Sequence, residues 1–472
     1  MKRLRRDGGN RGFEENTMAI IDTSGFSNSK ISHHLDDDRL AFLEAVRTTS
    51  LLPDNGSAPT RKMLEAIFHI LIDADSLDLV IQSQQLLVEL DKRFPRVYLS
   101  EAEPSDSPST KISQYVMVDE AWSPFNFGTD GYNMKGDATN HSRSLLDSSG
   151  FHSLIQEIAD VSEEIKSGAL EVRFLKKMLL LQYIITVLEG DFLPRNCAYQ
   201  ETMNWAILRE SLLNMLLGSR KITYKGLIKD SLSIMCNMAQ SNVSTEENSC
   251  NDKPQGELLH ELDRTMALAL PEVEKSTCNV LKKLFLMIMD LDSSRRTADQ
   301  QGLTTRVDGV RTPVMEIILD ELIYDNDVLF SFLKVFDPKW RLEIIVQYFQ
   351  KYVAKHSFQT RRSSTTVDTD FDGVLKCLSN SKSSRSIIKK IRTEVIQSLL
   401  AYAFQAYVVL SYHESEGLSD MGEDVKSDSV VEVCKNFVSA FTCLQQEDPD
   451  TEILCCGKQA LITAAGIIST KS

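Results

Sequence analysis

The chain has 472 residues, 42% hydrophobic and 25% charged, with a net charge of −15. That composition suits a globular protein with a large core, and at roughly 150 residues per domain the length allows either several domains or one long array. Twelve prolines and 21 glycines are too few for the many turns of an all-β fold, and an acidic surface disfavours nucleic acid as a general partner, because counterion release needs clustered Lys and Arg.

Residues 1–35 read as a mobile basic and polar tail with little to bury. Lys2, Arg3, Arg5 and Arg6 form a small cationic cluster that is a candidate nuclear-import signal or else a solvated terminus. No apolar segment follows these charges, so no secretory leader is expected, and no apolar run approaches the roughly 20 residues of a membrane span. The nine cysteines are scattered and odd in number, which is how reduced thiols inside helices behave in the cytosol or nucleus. Sequons at Asn55, Asn140 and Asn242 are then idle.

From residue 36 onward the pattern is helical. Asp36–Asp38 suit a helix start, followed by Leu40, Leu43 and Val46. Thr60 is placed to cap a helix carrying Met63, Ile67, Ile70 and Leu71 on one side. A second helix from about Ser76 carries Leu79, Leu86, Leu87 and Leu90 and stops before Pro95. Joined through Asp73–Asp75, the two make an αα-hairpin, the unit of helical arrays. Phe151 to Leu188 is a long apolar block. Trp205, Leu208, Leu212, Met215 and Leu216 line the next helix, and Leu232 and Met235 continue after a break near Gly226. Val280, Leu284, Phe285 and Ile288 mark another helix, as do Val314, Ile317, Ile318, Leu322 and Ile323 behind Pro313, which favours a first turn. Pro338 opens a further one with Trp340, Leu342, Ile345 and Val346. Ile387–Leu410, Val430–Leu444 and Ala460–Ile468 close the chain.

Polar stretches at 100–113, 128–143, 240–257, 294–312, 356–370 and 411–428 read as exposed flexible loops. Strand alternation is suggested only at Tyr115–Val118. The expected fold is all-α: a degenerate armadillo/HEAT-like α-solenoid over 36–472, stacked helix pairs with long polar linkers and no clean repeat near 40 residues.

The sequence carries little that points to chemistry. Phosphate loops, dinucleotide fingerprints, nucleophile elbows and HExxH helices are missing from the sequence. Asp368, Asp370, Asp372, Gly373 and Leu375 imitate a calcium loop, but Ser379 stands where a bidentate Glu belongs. There is no CxxC, and Cys455–Cys456 are adjacent, so they cannot both face one tetrahedral ion. No catalytic residue, cofactor or metal is expected, and the chain reads as a non-enzymatic scaffold. Arg361–Ser364, Ser123–Pro124 and Thr312–Pro313 have the form of kinase sites. Trp122, Phe125 and Phe127, grouped around Pro124, are either a plug that buries its rings or an aromatic docking segment for a partner.

Four long segments carry a resemblance: VDEAWSPFNFG at 118–128, Pro194 through NxxYxETMNW to Trp205, RxDGVRTPxMEIILDEL at 306–322, and FDPKWRLEI at 336–344. In order, they resemble one plant family, the negative regulators of systemic acquired resistance, also described as suppressors of inducible immunity. The likeness runs from about residue 18 to the C-terminus and thins in the linkers and near 411–428. It implies an armadillo-type nuclear protein without catalytic activity that represses basal defence-gene transcription. It also implies a subunit of the SMC five–six complex, paired with a companion non-SMC subunit, and through it a link to DNA-damage repair and homologous recombination. Its partners would be subunits of that complex and transcription or repair factors, with no sequence-specific DNA binding, membrane or small-molecule substrate. A helical-repeat adaptor for another complex, such as nuclear transport or ubiquitin ligation, is the competing reading of the same helices.

Overall fold

The computed structural model describes residues 32–52, 56–100, 114–118, 121–127, 146–164, 172–247, 261–305, 308, 311–322, 330, 332–333, 336–353, 370–416 and 423–471. Among these it contains sixteen helices and one two-stranded antiparallel sheet. The chain divides into two compact units, Met1–Ile318 and Leu319–Ser472.

The first unit opens with α1 (Ser32–Ser50), α2 (Arg61–Asp73) and α3 (Leu77–Arg93). Helix α1 begins ahead of Asp36–Asp38, inside the expected tail. The Thr60 hydroxyl accepts the Met63 amide at 3.3 Å, so the cap is where its sequence position puts it. Met63, Ile67, Ile70 and Leu71 of α2 are buried, as are Leu79, Leu86, Leu87 and Leu90 of α3. Helix α3 ends at Phe94, ahead of Pro95.

Strand β1 (Val97–Ser100) pairs with β2 (Gln114–Met117) in the register Val97 to Met117 and Ser100 to Gln114. Only the second strand was legible from alternation. Then come α4 (Ser148–Glu164), α5 (Val172–Thr202), α6 (Trp205–Arg209), α7 (Leu212–Gly218), α8 (Tyr224–Glu247) and α9 (Glu261–Gln300). Helix α5 packs along α9, against α3 and beneath the hairpin, while α4 packs on α8. It is the spine of the unit: Phe174, Met178, Leu181, Tyr183, Ile184, Leu188 and Phe192 are all buried.

The periodicity predicts one helix through Trp205–Leu216, but the chain breaks it at Ser211. There the Ser211 hydroxyl accepts the Asn214 amide at 3.2 Å, and buried Asp191 accepts the Leu212 amide at 2.8 Å. Two acceptors at one helix start outweigh continuity, and Met215, placed on the apolar side by spacing, is 37% exposed.

The expected loops at 240–257 and 294–312 are also shorter than their composition implies. Helix α8 runs to Glu247, α9 begins at Glu261, and α9 continues to Gln300. It then closes with Leu303 N donating to Ala298 O at 2.9 Å and Gly302 N to Asp299 O at 3.1 Å. Gly302 sits at φ +70°, the left-handed position this closure needs and a glycine adopts cheaply.

Helix α10 (Val314–Leu322) lies at the boundary of the units. The second unit contains α11 (Pro338–Val353), α12 (Phe371–Leu378), α13 (Ser381–Ile388), α14 (Thr393–Glu416), α15 (Glu423–Glu447) and α16 (Cys455–Lys471). The expected loop at 411–428 is helical at both ends. Helix α14 is the core: it packs against α11, α15 and α16. Phe404 stacks on Phe437 of α15, with ring centroids 4.3 Å apart. Contrary to the sequence expectation, Thr393–Tyr412 is long and apolar enough to cross a membrane by length and composition, but more than half of it is buried by its neighbours. Its apolarity is that of a core helix covered on several sides.

Candidate functional site

The aromatic segment lies in the first unit, with Pro124 and Phe125 buried and Trp122 and Phe127 half-buried. The Trp122 ring meets Phe68 of α2 edge-on at 5.5 Å, and Phe68 in turn meets Tyr183 of α5 at 6.0 Å. Phe125 stacks on Phe127 at 5.2 Å and meets Phe151 of α4 at 6.4 Å. The backbone is anchored as well: Leu146 N donates to Pro124 O at 2.8 Å and Asn126 N to Leu146 O at 3.0 Å. The three rings therefore reach α2 and α4 directly and α5 through Phe68. Among the described residues the Trp122 indole nitrogen has no hydrogen-bond partner. The cluster Lys2, Arg3, Arg5 and Arg6 falls outside the described residues, as does Arg361–Ser364. Thr312 is exposed, whereas Ser123 uses its hydroxyl to accept the Phe125 amide at 3.2 Å.

Sequence reasoning missed two ionic junctions, one buried and one half-buried. In the first, Asp191 and Arg195, one turn apart on α5 and each 2% exposed, pair at 3.2 Å. Arg96, just before β1, approaches Asp191 at 3.5 Å. Arg195 also donates to Ile207 O at 3.0 Å and contacts Met117 Sδ at 3.4 Å, and it lies 5.7 Å from the centroid of the Tyr115 ring. One buried pair thus joins the hairpin, α5, α6 and the start of α7. A charge pair so enclosed needs its remaining hydrogen-bonding capacity used; the Leu212 amide and Ile207 carbonyl take part of it, while among the described residues Asp191 Oδ1 and Arg195 Nε have ion-pair neighbours but no hydrogen-bond partner.

In the second junction, Asp292 of α9 accepts from Arg311 at 2.9 Å and from the Val314 amide at 2.8 Å. Arg311 lies over the Tyr224 ring at 5.1 Å. Asp308 accepts the Trp205 indole N–H at 3.1 Å and the Thr305 amide at 2.7 Å, and its carbonyl accepts from Arg295 at 2.7 Å. Desolvation raises the Asp308 carboxyl, but hydrogen bonds from Thr305 and Trp205 outweigh it and leave it below the usual range.

Residues from two of the four quoted segments meet at these junctions. Trp205 ends the segment beginning at Pro194, Asp308 and Arg311 belong to 306–322, and Arg195 reaches the strand leading into 118–128. Their spacing in sequence gave no sign of this, because the bond from Trp205 to Asp308 spans 103 positions. In the fourth segment, Arg341 donates to the carbonyls of Leu333 and Phe336, at 3.0 and 2.9 Å.

What these groups can do is hold elements together. The carboxylates at the junctions accept from arginines and helix-start amides instead of facing a nucleophile. Burial pushes the Cys278 thiol up to about 12 and raises Cys377 and Cys443 as well, opposite to the depressed thiol of a reactive cysteine. Among the described residues no group of three or more His, Cys, Asp or Glu could hold a metal ion. At the calcium-like sequence, Asp370 caps α12 by accepting the Gly373 amide at 2.8 Å, and Asp372 accepts from Asn436 at 2.7 Å. Asp368 lies outside the described residues; Phe371–Leu378 is helical, so Asp370, Asp372, Gly373 and Leu375 belong to a helix start.

Residues 96–338 match the family model of the SNI1 middle domain and residues 353–472 that of the SNI1 C-terminal domain. The chain is 41% identical over 464 residues to a protein of Arabidopsis thaliana described as "Negative regulator of systemic acquired resistance SNI1", covering 97% of this chain and 95% of that one. No solved structure matches the chain.

Proposed function

The chain belongs to the SNI1 family, and we propose that it is a negative regulator of systemic acquired resistance that works without catalysis. The observation that carries this reading is similarity extending over 97% of the chain, which leaves little room for a different activity in an added domain. The buried ionic groups support it, since they are engaged in joining helices to one another. Within each unit the packed helix pairs are read as degenerate armadillo/HEAT-like α-solenoid, a fold that offers helix faces as binding surface and takes its affinity from a few buried anchors.

The finer proposal is a nuclear subunit of the SMC five–six complex, paired with a companion non-SMC subunit. In that setting it would restrain basal defence-gene transcription and bear on DNA-damage repair and homologous recombination. The test is affinity purification of the full chain from plant nuclei, with mass spectrometry of what accompanies it. Recovery of SMC-complex subunits in stoichiometric amounts is expected. Their absence, with nuclear-transport or ubiquitin-ligase subunits in their place, would replace this proposal with the adaptor reading.

A further inference from the structure

Most methionines with described side chains lie in the core; Met63, Met178, Met235, Met287 and Met315 are each 8% exposed or less. Two face solvent: Met117 of β2, 46% exposed, and Met215 of α7, 37% exposed. The first of them also touches the buried ionic junction. Arg195 donates through Nη2 to Met117 Sδ at 3.4 Å, although Arg195 itself is 2% exposed. One solvent-facing side chain thus ends on a buried cation.

The strand places it there. Alternation puts Tyr115 and Met117 on one face of β2, and both meet the same guanidinium, the Tyr115 ring centroid lying 5.7 Å from it. Arg195 has five N–H donors to satisfy. Nη1 reaches the Ile207 carbonyl at 3.0 Å, and Nε lies 3.2 Å from Asp191 without a hydrogen-bond partner among the described residues. Nη2 is given to a thioether, one of the weakest acceptors a side chain offers. A buried cation held in this way gains from any stronger acceptor brought to the same place.

We infer that Met117 is a reversible oxidation site through which hydrogen peroxide acts on the Asp191–Arg195 junction. The sulfur lone pair not taken by Arg195 attacks one peroxide oxygen. The O–O bond breaks with its electron pair going to the departing oxygen, which takes up the proton of the transferred one and leaves as water. The sulfur is oxidised by two electrons to the sulfoxide, and the peroxide is reduced. The product carries a polar oxygen where the thioether had none. Rotation about the Cγ–Sδ bond brings that oxygen within ordinary hydrogen-bond distance of Nη2. A strong acceptor then replaces a weak one, and β2 is held more firmly to α5. The hairpin responds because a two-stranded sheet this short is marginal without its neighbours. A methionine sulfoxide reductase restores the thioether. The inference rests on this contact and stands independently of which complex the protein joins.

The experiment treats the full chain with dilute hydrogen peroxide, quenches it, and follows each methionine by peptide mass spectrometry and the β1–β2 amides by hydrogen exchange. Met117 should gain one oxygen about tenfold faster than buried Met178 and Met287. The β1–β2 amides of the oxidised chain should exchange about fivefold more slowly, and reductase treatment should return them to the starting rate. Met117→Leu keeps the side-chain bulk and every other methionine and cysteine, and should show no slowing. Met215→Leu should slow as the parent does. The parent chain alone reports oxidation, slowing and reversal, so the outcome does not hang on the stability of either variant. Oxidation of Met117 no faster than of the buried methionines, exchange unchanged or faster in the oxidised chain, or equal slowing in Met117→Leu would each overturn the inference.

Discussion

Replacing Asp91 by Asn should stabilise the first unit most above neutral pH, less at pH 5 and not at all below pH 3.8. Asp91 lies on α3 facing Tyr183 of α5. Its Oδ2 is enclosed, with no hydrogen-bond partner of good geometry, and the same holds for the Tyr183 hydroxyl. Burial pushes the carboxyl from 3.8 up to about 7, with the Tyr183 hydroxyl pulling slightly the other way. The folded state therefore binds the proton more tightly than the unfolded chain. At pH below 3.8 both states are protonated and nothing is lost. Between there and about 7 the unfolded chain ionises while the folded one does not, so stability falls as pH rises, and above 7 the loss levels off. A shift of some three units at about 1.4 kcal/mol each is a penalty of ~4 kcal/mol at pH 8. Asn keeps the shape but cannot ionise, so most of that penalty disappears. Thermal unfolding followed by circular dichroism, for parent and variant at pH 5 and pH 8, measures the difference while other titrating groups cancel. A gain of several degrees at pH 8, falling to less than half of that at pH 5, is expected. An equal difference at both pH values, or a less stable variant at pH 8, would refute the burial argument.

Phe125→Ala removes a ring that is 6% exposed and lies against Phe151 and Phe127. It should cost about 3–4 kcal/mol of stability, measured by urea denaturation. A docking segment would instead lose partner binding with its unfolding midpoint unchanged. Arg195→Met leaves Asp191 as an uncompensated buried charge facing only Arg96. It should cost about 3–5 kcal/mol and should speed hydrogen exchange of the β1–β2 amides, since that guanidinium contacts Met117. Gly457→Ala sets a Cβ 2.9 Å from the Phe441 ring, so α16 must shift away from α15. A loss of about 1–3 kcal/mol is expected, and a melting temperature equal to the parent's would show that the contact yields.

Thr60, Pro338 and the stripe Met63, Ile67, Ile70 and Leu71 could be read directly, because caps and apolar spacing act within one or two helical turns. The helical class follows from the same local rules, repeated along the chain. Where composition misled, a neighbour had intervened. The polar run Ser293–Gln300 looks like loop but continues α9, since Ser294 and Ala298 turn inward and Tyr199 donates to Ser294 O at 2.9 Å. The Trp205–Leu216 stripe looks like one helix but is cut by Asp191 from a different one. The apolar length of Thr393–Tyr412 is spent on three packed helices. Strand β1 had no visible signal because four residues acquire their meaning only from β2, across an intervening segment.

The quoted segments could be recognised in the sequence as patterns, but what they do there could not. Trp205 with Asp308, and Arg195 with Asp191 and Met117, become partners only when α5, α9 and the hairpin are brought together. Hydrogen bonds and ion pairs depend on distance in space, which no local rule supplies. The sequence alone therefore determined the helical class, many helix ends and the excess of negative charge. The tertiary structure decided which charges are consumed inside the protein, such as Asp191 and Asp292, and which are presented outside it, such as Lys382 and Lys389. Burial, which sets the strength of a charge, is a property of what packs around a residue and not of the residue itself.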